Sequence, residues 1–218
     1  MTRNAWRWIG PGLIIIVAVF IVVSYRYDQK VHMEVVSHMP DSPDVPGGGV
    51  YAGTLTDSDA GKAFLRLWEA NTRRLNGPGY DLEIRLNDAA FFKALAAVEG
   101  KDARDARTRY RAYETRYHFD RKLVFTVEMH APRGRLFDMK PEGMMAIRLG
   151  SGEEYESESW TESNRSMEYH REAVVTFGRK DGEPIVNPGT RHRTLELVWR
   201  DPAVQKEPGA VWDVRQEP

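Results

Sequence analysis

The longest apolar stretch in the chain runs from residue 13 to residue 23, LIIIVAVFIVV, with no polar position. Extended outward to residues 6–25, it would span about 30 Å as a helix, the thickness of a hydrocarbon core. Arg7 is the only charge in that stretch and lies at its end, where it can snorkel to the headgroups. Trp6 and Trp8 mark one interface, Tyr25 and Tyr27 the other. This pattern predicts a single transmembrane helix within residues 1–27. A cleaved signal peptide ending near Val22 and Ser24 is the alternative, and aromatic belts on both sides favour an anchor. Arg3 and Arg7 precede the run, while Arg26 and Lys30 follow it with Asp28 between them. That bias puts the N-terminus in the cytoplasm and the remainder outside it, the arrangement of a signal anchor in a bacterial inner membrane.

Residues 28–58 break every periodicity. Pro40, Pro43 and Pro46 precede Gly47, Gly48 and Gly49, so the segment reads as a linker or an extended arm. It also carries Val31, Val35, Val36 and Tyr51. A free spacer does not need these apolar groups, which makes the segment a candidate docking arm.

Helical spacing starts at residue 59. Phe64, Leu67, Trp68, Asn71 and Leu75 share one face, Thr56 or Ser58 can cap its start, and Gly77-Pro78 can stop it. Leu82, Ile84 and Leu86 then alternate as a short strand, and a second helix opens near Asn87 and carries Phe91, Phe92, Leu95 and Val98 to Gly100. Residues 101–118 fit two periods. Ala103, Ala106, Tyr110, Tyr113 and Tyr117 share a helix face, whereas Tyr113, Thr115, Tyr117 and Phe119 alternate. The expectation is helix first and strand from about Tyr113, ending a helical part at about 59–112. Arg104, Arg107 and Arg111 form a basic stripe on that helix. Such a stripe is either a solvated face or a docking surface for an acidic partner or lipid headgroups.

From residue 120 the period becomes two. Leu123, Phe125, Val127 and Met129 alternate with Val124, Thr126, Glu128 and His130, then come Ile147 and Leu149, Val175 and Phe177, and Leu195, Leu197 and Trp199. Turn signals separate them at Pro132-Arg-Gly134, Pro141-Glu-Gly143, Gly150-Ser-Gly152, Asp181-Gly182 and Pro188-Gly189, with Asp181-Gly182 the clearest hairpin candidate. Short strands at this spacing predict an antiparallel sandwich over about 113–202. Residues 203–218 read as a tail, with Trp212 lying across a neighbour or the chain's own domain. The fold class is thus mainly β with added helices (α+β): two or three helices ahead of the sandwich in one extracytoplasmic domain, 59–218.

The run from Glu154 to Phe177, EYESESWTESNRSMEYHREAVVTF, is followed by RTLELVWRD. Its order of strand, Trp160-containing loop, His170-Arg171 pair and strand ending in Phe177 resembles immunoglobulin-like modules of bacterial extracytoplasmic proteins. The resemblance covers about 80 residues. It implies an immunoglobulin-like sandwich and a compartment outside the cytoplasm, and no enzymatic activity.

The chain has 218 residues, so about 160 remain for the domain, enough for an ordinary core. A net charge of −1 argues against a dedicated nucleic-acid binder, and the lack of cysteine excludes disulfides, thiol catalysis and Cys-ligated metals. No HExxH, phosphate-cradling loop or Gly-x-Ser-x-Gly occurs, so no catalytic residue and no cofactor is expected. His32-Met33 and His38-Met39 repeat a pair that suits copper(I), echoed by Met129-His130. Glu153, Glu154, Glu156, Glu158 and Glu162 surround Trp160 and read as a solvated rim. The expected function is a non-enzymatic, membrane-anchored accessory or scaffolding subunit of a larger bacterial membrane complex. Its partners would be other subunits and the bilayer, docking through Val31, Val35, Val36, Tyr51, Phe64 and Trp68. The alternative is a periplasmic copper- or ligand-handling module using His32, Met33, His38 and Met39.

Overall fold

The computed structural model describes Pro46 and residues 58–77, 79–131, 143–163, 169–186, 194–201 and 208–213. The chain divides into two units, Met1–Pro40 and Asp41–Pro218, and every described residue belongs to the second. Among the described residues no helix is long and apolar enough to cross a membrane; the span expected at residues 6–25 lies outside them.

Helix α1 (Asp59–Asn71) begins where the Ser58 side chain accepts from the Gly61 amide. It ends earlier than its apolar spacing suggested. Residues after Asn71 pair instead as strand β1 (Thr72–Gly77) with β2 (Tyr80–Leu86), in a register running from Thr72↔Arg85 to Gly77↔Tyr80. Leu75 is therefore a strand residue that packs against the inter-sheet core. Gly79 turns the hairpin in the left-handed region, φ 91°, which a side chain would resist. Gly77, expected to help stop a helix, is instead the last residue of β1 and stands opposite Tyr80.

Helix α2 (Ala89–Glu99) is capped by Asp88, whose carboxylate accepts from the Phe91 amide at 2.7 Å. Gly100 lets the chain enter helix α3 (Ala103–Tyr117) at close range. A Cβ there would stand 2.8 Å from both Ala106 N and Ala96 O. Asp102 caps α3, and His118 closes it in the left-handed region at φ 49°. The strand expected from Tyr113 is helix. Tyr113 and Tyr117 stack against Phe92 at ring separations of 5.4 and 5.3 Å, and only the helical period aims both at it.

Six further strands complete the fold after β3 (Leu123–His130): β4 (Met145–Leu149), β5 (Glu154–Glu156), β6 (Ser159–Glu162), β7 (His170–Phe177), β8 (Thr194–Trp199) and β9 (Gly209–Asp213). They form two antiparallel sheets, ordered β1-β2-β3-β7-β6 and β5-β4-β8-β9. Inward residues of both, among them Ile84, Phe125, Phe177, Ile147, Leu197 and Trp199, share one buried cluster. The architecture is an α+β sandwich.

Gly150-Ser-Gly152 makes the β4–β5 hairpin, whereas Asp181-Gly182 does not join hairpin partners. It lies between β7 and β8, which belong to different sheets. The expected tail is in part strand: β9 pairs with β8, and Trp212 is buried against Phe125 at 5.3 Å. Its indole donates to the Asn71 carbonyl at 2.7 Å, while Arg73 donates to the Val211 carbonyl at 3.0 Å. β1 and β9 are thereby tied together across one edge of the sandwich. Inside the core, Tyr80 donates its hydroxyl to Asp201 at 2.6 Å and accepts from the Trp199 indole at 2.8 Å. Burial raises that phenol's pKa, so it stays protonated and keeps donating.

Candidate functional site

The five-stranded sheet buries one face against the other sheet and turns the opposite face to the helices. On that outer face the side chains come from alternate positions: Arg85 on β2, Val124 and Thr126 on β3, Val174 on β7. Helices α2 and α3 cover part of it with aromatic rings, Phe92 and Tyr117 clustering with Val124 and Val174. The rest carries ionisable groups in rows. Glu83, Glu128 and Glu172 face one another across β2, β3 and β7, and Asp81, His130 and His170 form the next row.

Three like charges on adjacent strands repel. Arg74 answers Glu83 with an ion pair at 2.9 Å. Arg85 supplies a second cation: it lies within electrostatic reach of all three glutamates, which oppose the effect of burial on it. Arg85 is 2% exposed, the most enclosed charge described in the domain. Its guanidinium stacks 3.5 Å from the centre of the Trp68 ring and 5.3 Å from that of Phe91. Nε donates to Asn87 Oδ1 at 3.2 Å, and the Asn87 amide donates in turn to Thr126 Oγ1 at 2.8 Å. A terminal nitrogen donates to the carbonyl of Pro46 at 3.1 Å. Loss of hydration pushes the guanidinium pKa down to about 10, which leaves it charged at neutral pH. Chemically this is a clamp. A fixed cation with a planar fork holds a backbone carbonyl of the arm against the helix–sheet seam.

The other expected site residues fall as follows. Phe64 is 1% exposed and packs with Phe91 and Leu95, so it offers no surface to a partner; its hydrophobicity belongs to the domain's own core. Trp68 is half-buried, with Arg85 over its ring. Val31, Val35, Val36, Tyr51, the interfacial Trp6, Trp8, Tyr25 and Tyr27, and the metal candidates His32, Met33, His38 and Met39 lie outside the described residues. Met129 and His130 cannot act as a pair, because Met129 is buried between the sheets and His130 stands on the opposite face. Among the described residues no three His, Asp or Glu are placed to hold a metal ion.

The acidic rim is exposed, as its spacing suggested, and four of its five carboxylates are ion-paired. Glu154 pairs with Arg148 and Arg200, Glu156 with Arg200, Glu158 with Lys122 and Glu162 with Arg171. Trp160 is on strand β6, not in a loop, and the Arg171 guanidinium lies 5.8 Å from its ring centre. Arg85, Asn87 and Thr126 are the functional candidates that periodicity missed, because each occupies an outward, polar-looking position. The one available signal was a helix start at Asn87, placing a helix directly after Arg85. No family model, curated protein or solved structure matches this chain.

Proposed function

We propose that this chain is a membrane-anchored, non-enzymatic accessory subunit, held by its apolar N-terminal run and acting through its extracytoplasmic domain as a scaffold in a larger membrane assembly. The observation that supports the reading is the Arg85 clamp on Pro46. A domain that merely floats on a tether has no need to bury an arginine against that tether. Holding Pro46 leaves residues 28–45 between the expected span and the clamp, at most about 65 Å of chain against about 110 Å for residues 28–58. A shorter arm limits the volume the domain can sample and raises the effective concentration of partners in the same bilayer. The resemblance around Trp160, His170, Arg171 and Phe177 supports an immunoglobulin-like module in the same compartment.

The experiment is gentle detergent extraction of the full chain without chelators, followed by native sizing and identification of co-migrating proteins. The expected result is migration in an assembly with other membrane subunits at fixed stoichiometry. Migration as a lone monomer carrying stoichiometric copper would overturn it in favour of metal handling through His32, Met33, His38 and Met39.

A further inference from the structure

The solvent side of the helix layer is lopsided in charge. On α3, Arg104, Arg107 and Arg111 are all exposed and fall at the i, i+3, i+7 spacing of one ridge, about 10 Å long. None of the three makes an ion pair with another described residue, whereas Arg109, on the flank, is held by Asp105 at 3.2 Å and lies 3.7 Å from Glu99. The fold uses one arginine and leaves the ridge to solvent. Helix α3 carries five arginines and two carboxylates, a net of +3, in a chain whose total is −1. The neighbouring helices are balanced, with Lys62 and Arg66 against Asp59 and Glu69 on α1 and Lys93 against Glu99 on α2, so the excess is confined to α3.

We infer that this α3 ridge docks on the anionic headgroups of the bilayer to which the chain is tethered. Two features select a lipid surface. The three arginines line one exposed, convex helix ridge about 10 Å long, which suits an open surface better than a groove. No large apolar side chain is exposed on these helices, so the contact is electrostatic and peripheral, without insertion. Within a Debye length of an anionic leaflet each arginine should strengthen docking about five-fold, and three on the order of a hundred-fold.

The inference rests on the anchored reading, and the test separates the two. The chain has no cysteine, so Thr108→Cys on the ridge and Lys180→Cys in the turn after β7 each accept a single fluorophore. Full-length chain is reconstituted in vesicles of phosphatidylcholine alone or with 30% phosphatidylglycerol, each doped with headgroup-nitroxide lipid. The expected result is strong quenching at position 108 in anionic vesicles, little at position 180, and loss of the difference in neutral vesicles, at 0.5 M salt, or with Arg104→Gln, Arg107→Gln and Arg111→Gln combined. Quenching at 108 that ignores lipid charge, or survives the triple change, overturns the inference. So does a triple variant that keeps its quenching and loses a co-purifying protein, which would identify an acidic protein partner. Release of the chain by carbonate overturns the anchored reading and this one together.

Discussion

The two faces of the five-stranded sheet solve different problems. The inner face buries apolar side chains and Tyr80, whose hydroxyl is shared between Asp201 and Trp199, and carries Arg73, Arg171 and Glu162 only toward its margins. The outer face buries Arg85, Asn87, Thr126 and Glu172 beside a pile of aromatic rings. Removing apolar area from water stabilises the inner face without any requirement of direction. The outer face depends on geometry, since a buried guanidinium is tolerable only while its partners stay in place. The first face makes the domain fold. The second fixes where the helices and the arm attach to it.

The largest test of this contrast is Trp199→Ala. Trp199 is fully buried, fills the space between the sheets, and donates to Tyr80. Its loss leaves a cavity and an unanswered phenol, at a cost of about 4 kcal/mol. Chemical denaturation followed by near-ultraviolet circular dichroism should show both sheets unfolding together. Survival of the helix layer alone would break the picture of one inter-sheet core supporting everything else.

Arg85→Ala comes next, with an expected cost of about 3 kcal/mol, because it removes a buried cation near Glu83, Glu128 and Glu172 and the donors to Asn87 and Pro46. Arg85→Lys keeps the charge but loses the fork and the stacking on Trp68, so it should fall between wild type and alanine. Limited proteolysis of the folded protein should cut near residue 46 faster in both variants. A loss below 1 kcal/mol with unchanged proteolysis would make the outer face an ordinary surface.

The same contrast explains what the sequence disclosed. Leu82, Ile84, Phe125, Val127 and Met129 alternate because a sheet has period two and one face was certain to be buried. Their polar neighbours looked solvated for the same reason. That inference fails at Arg85 and Thr126, because whether a second layer covers the outer face depends on α1 and α2, which are distant from β3 in sequence. At residues 113–117 two periods fitted the pattern and Phe92 decided between them. Strands β1 and β9 were missed because TRRLNG and GAVWD are short and half-polar, and each becomes a strand by pairing with a neighbour. The clamp is the least legible element. It is built from one polar residue per element, with no motif spacing, and only the fold brings Arg85, Asn87, Thr126 and Pro46 together.

The smallest effects allow the finest comparison, because two carboxyls respond to pH with opposite sign. Asp88 caps α2 at the outer face, and burial raises its pKa despite the Phe91 amide that favours the ionised form. A carboxyl with a raised folded pKa contributes most below its unfolded value near 4, and that contribution is lost as pH rises through the folded value. Glu154 lies at the β4–β5 hairpin, where the Arg148 guanidinium lowers its pKa and Arg200 adds to the effect. Its contribution is present above the unfolded value and is lost as pH falls through the folded one. Asp88→Asn keeps a capping oxygen and stops the titration, so its melting temperature relative to wild type should rise between pH 4 and pH 7. Glu154→Gln should do the reverse, matching wild type at low pH and falling behind toward pH 7. Asp88→Ala, which removes the cap as well, should cost about 1 kcal/mol at pH 7. Parallel slopes for the two isosteric variants would mean that the Asp88 carboxyl is solvated like Glu154, and that the helix layer does not exclude water from the seam where Arg85 holds the arm.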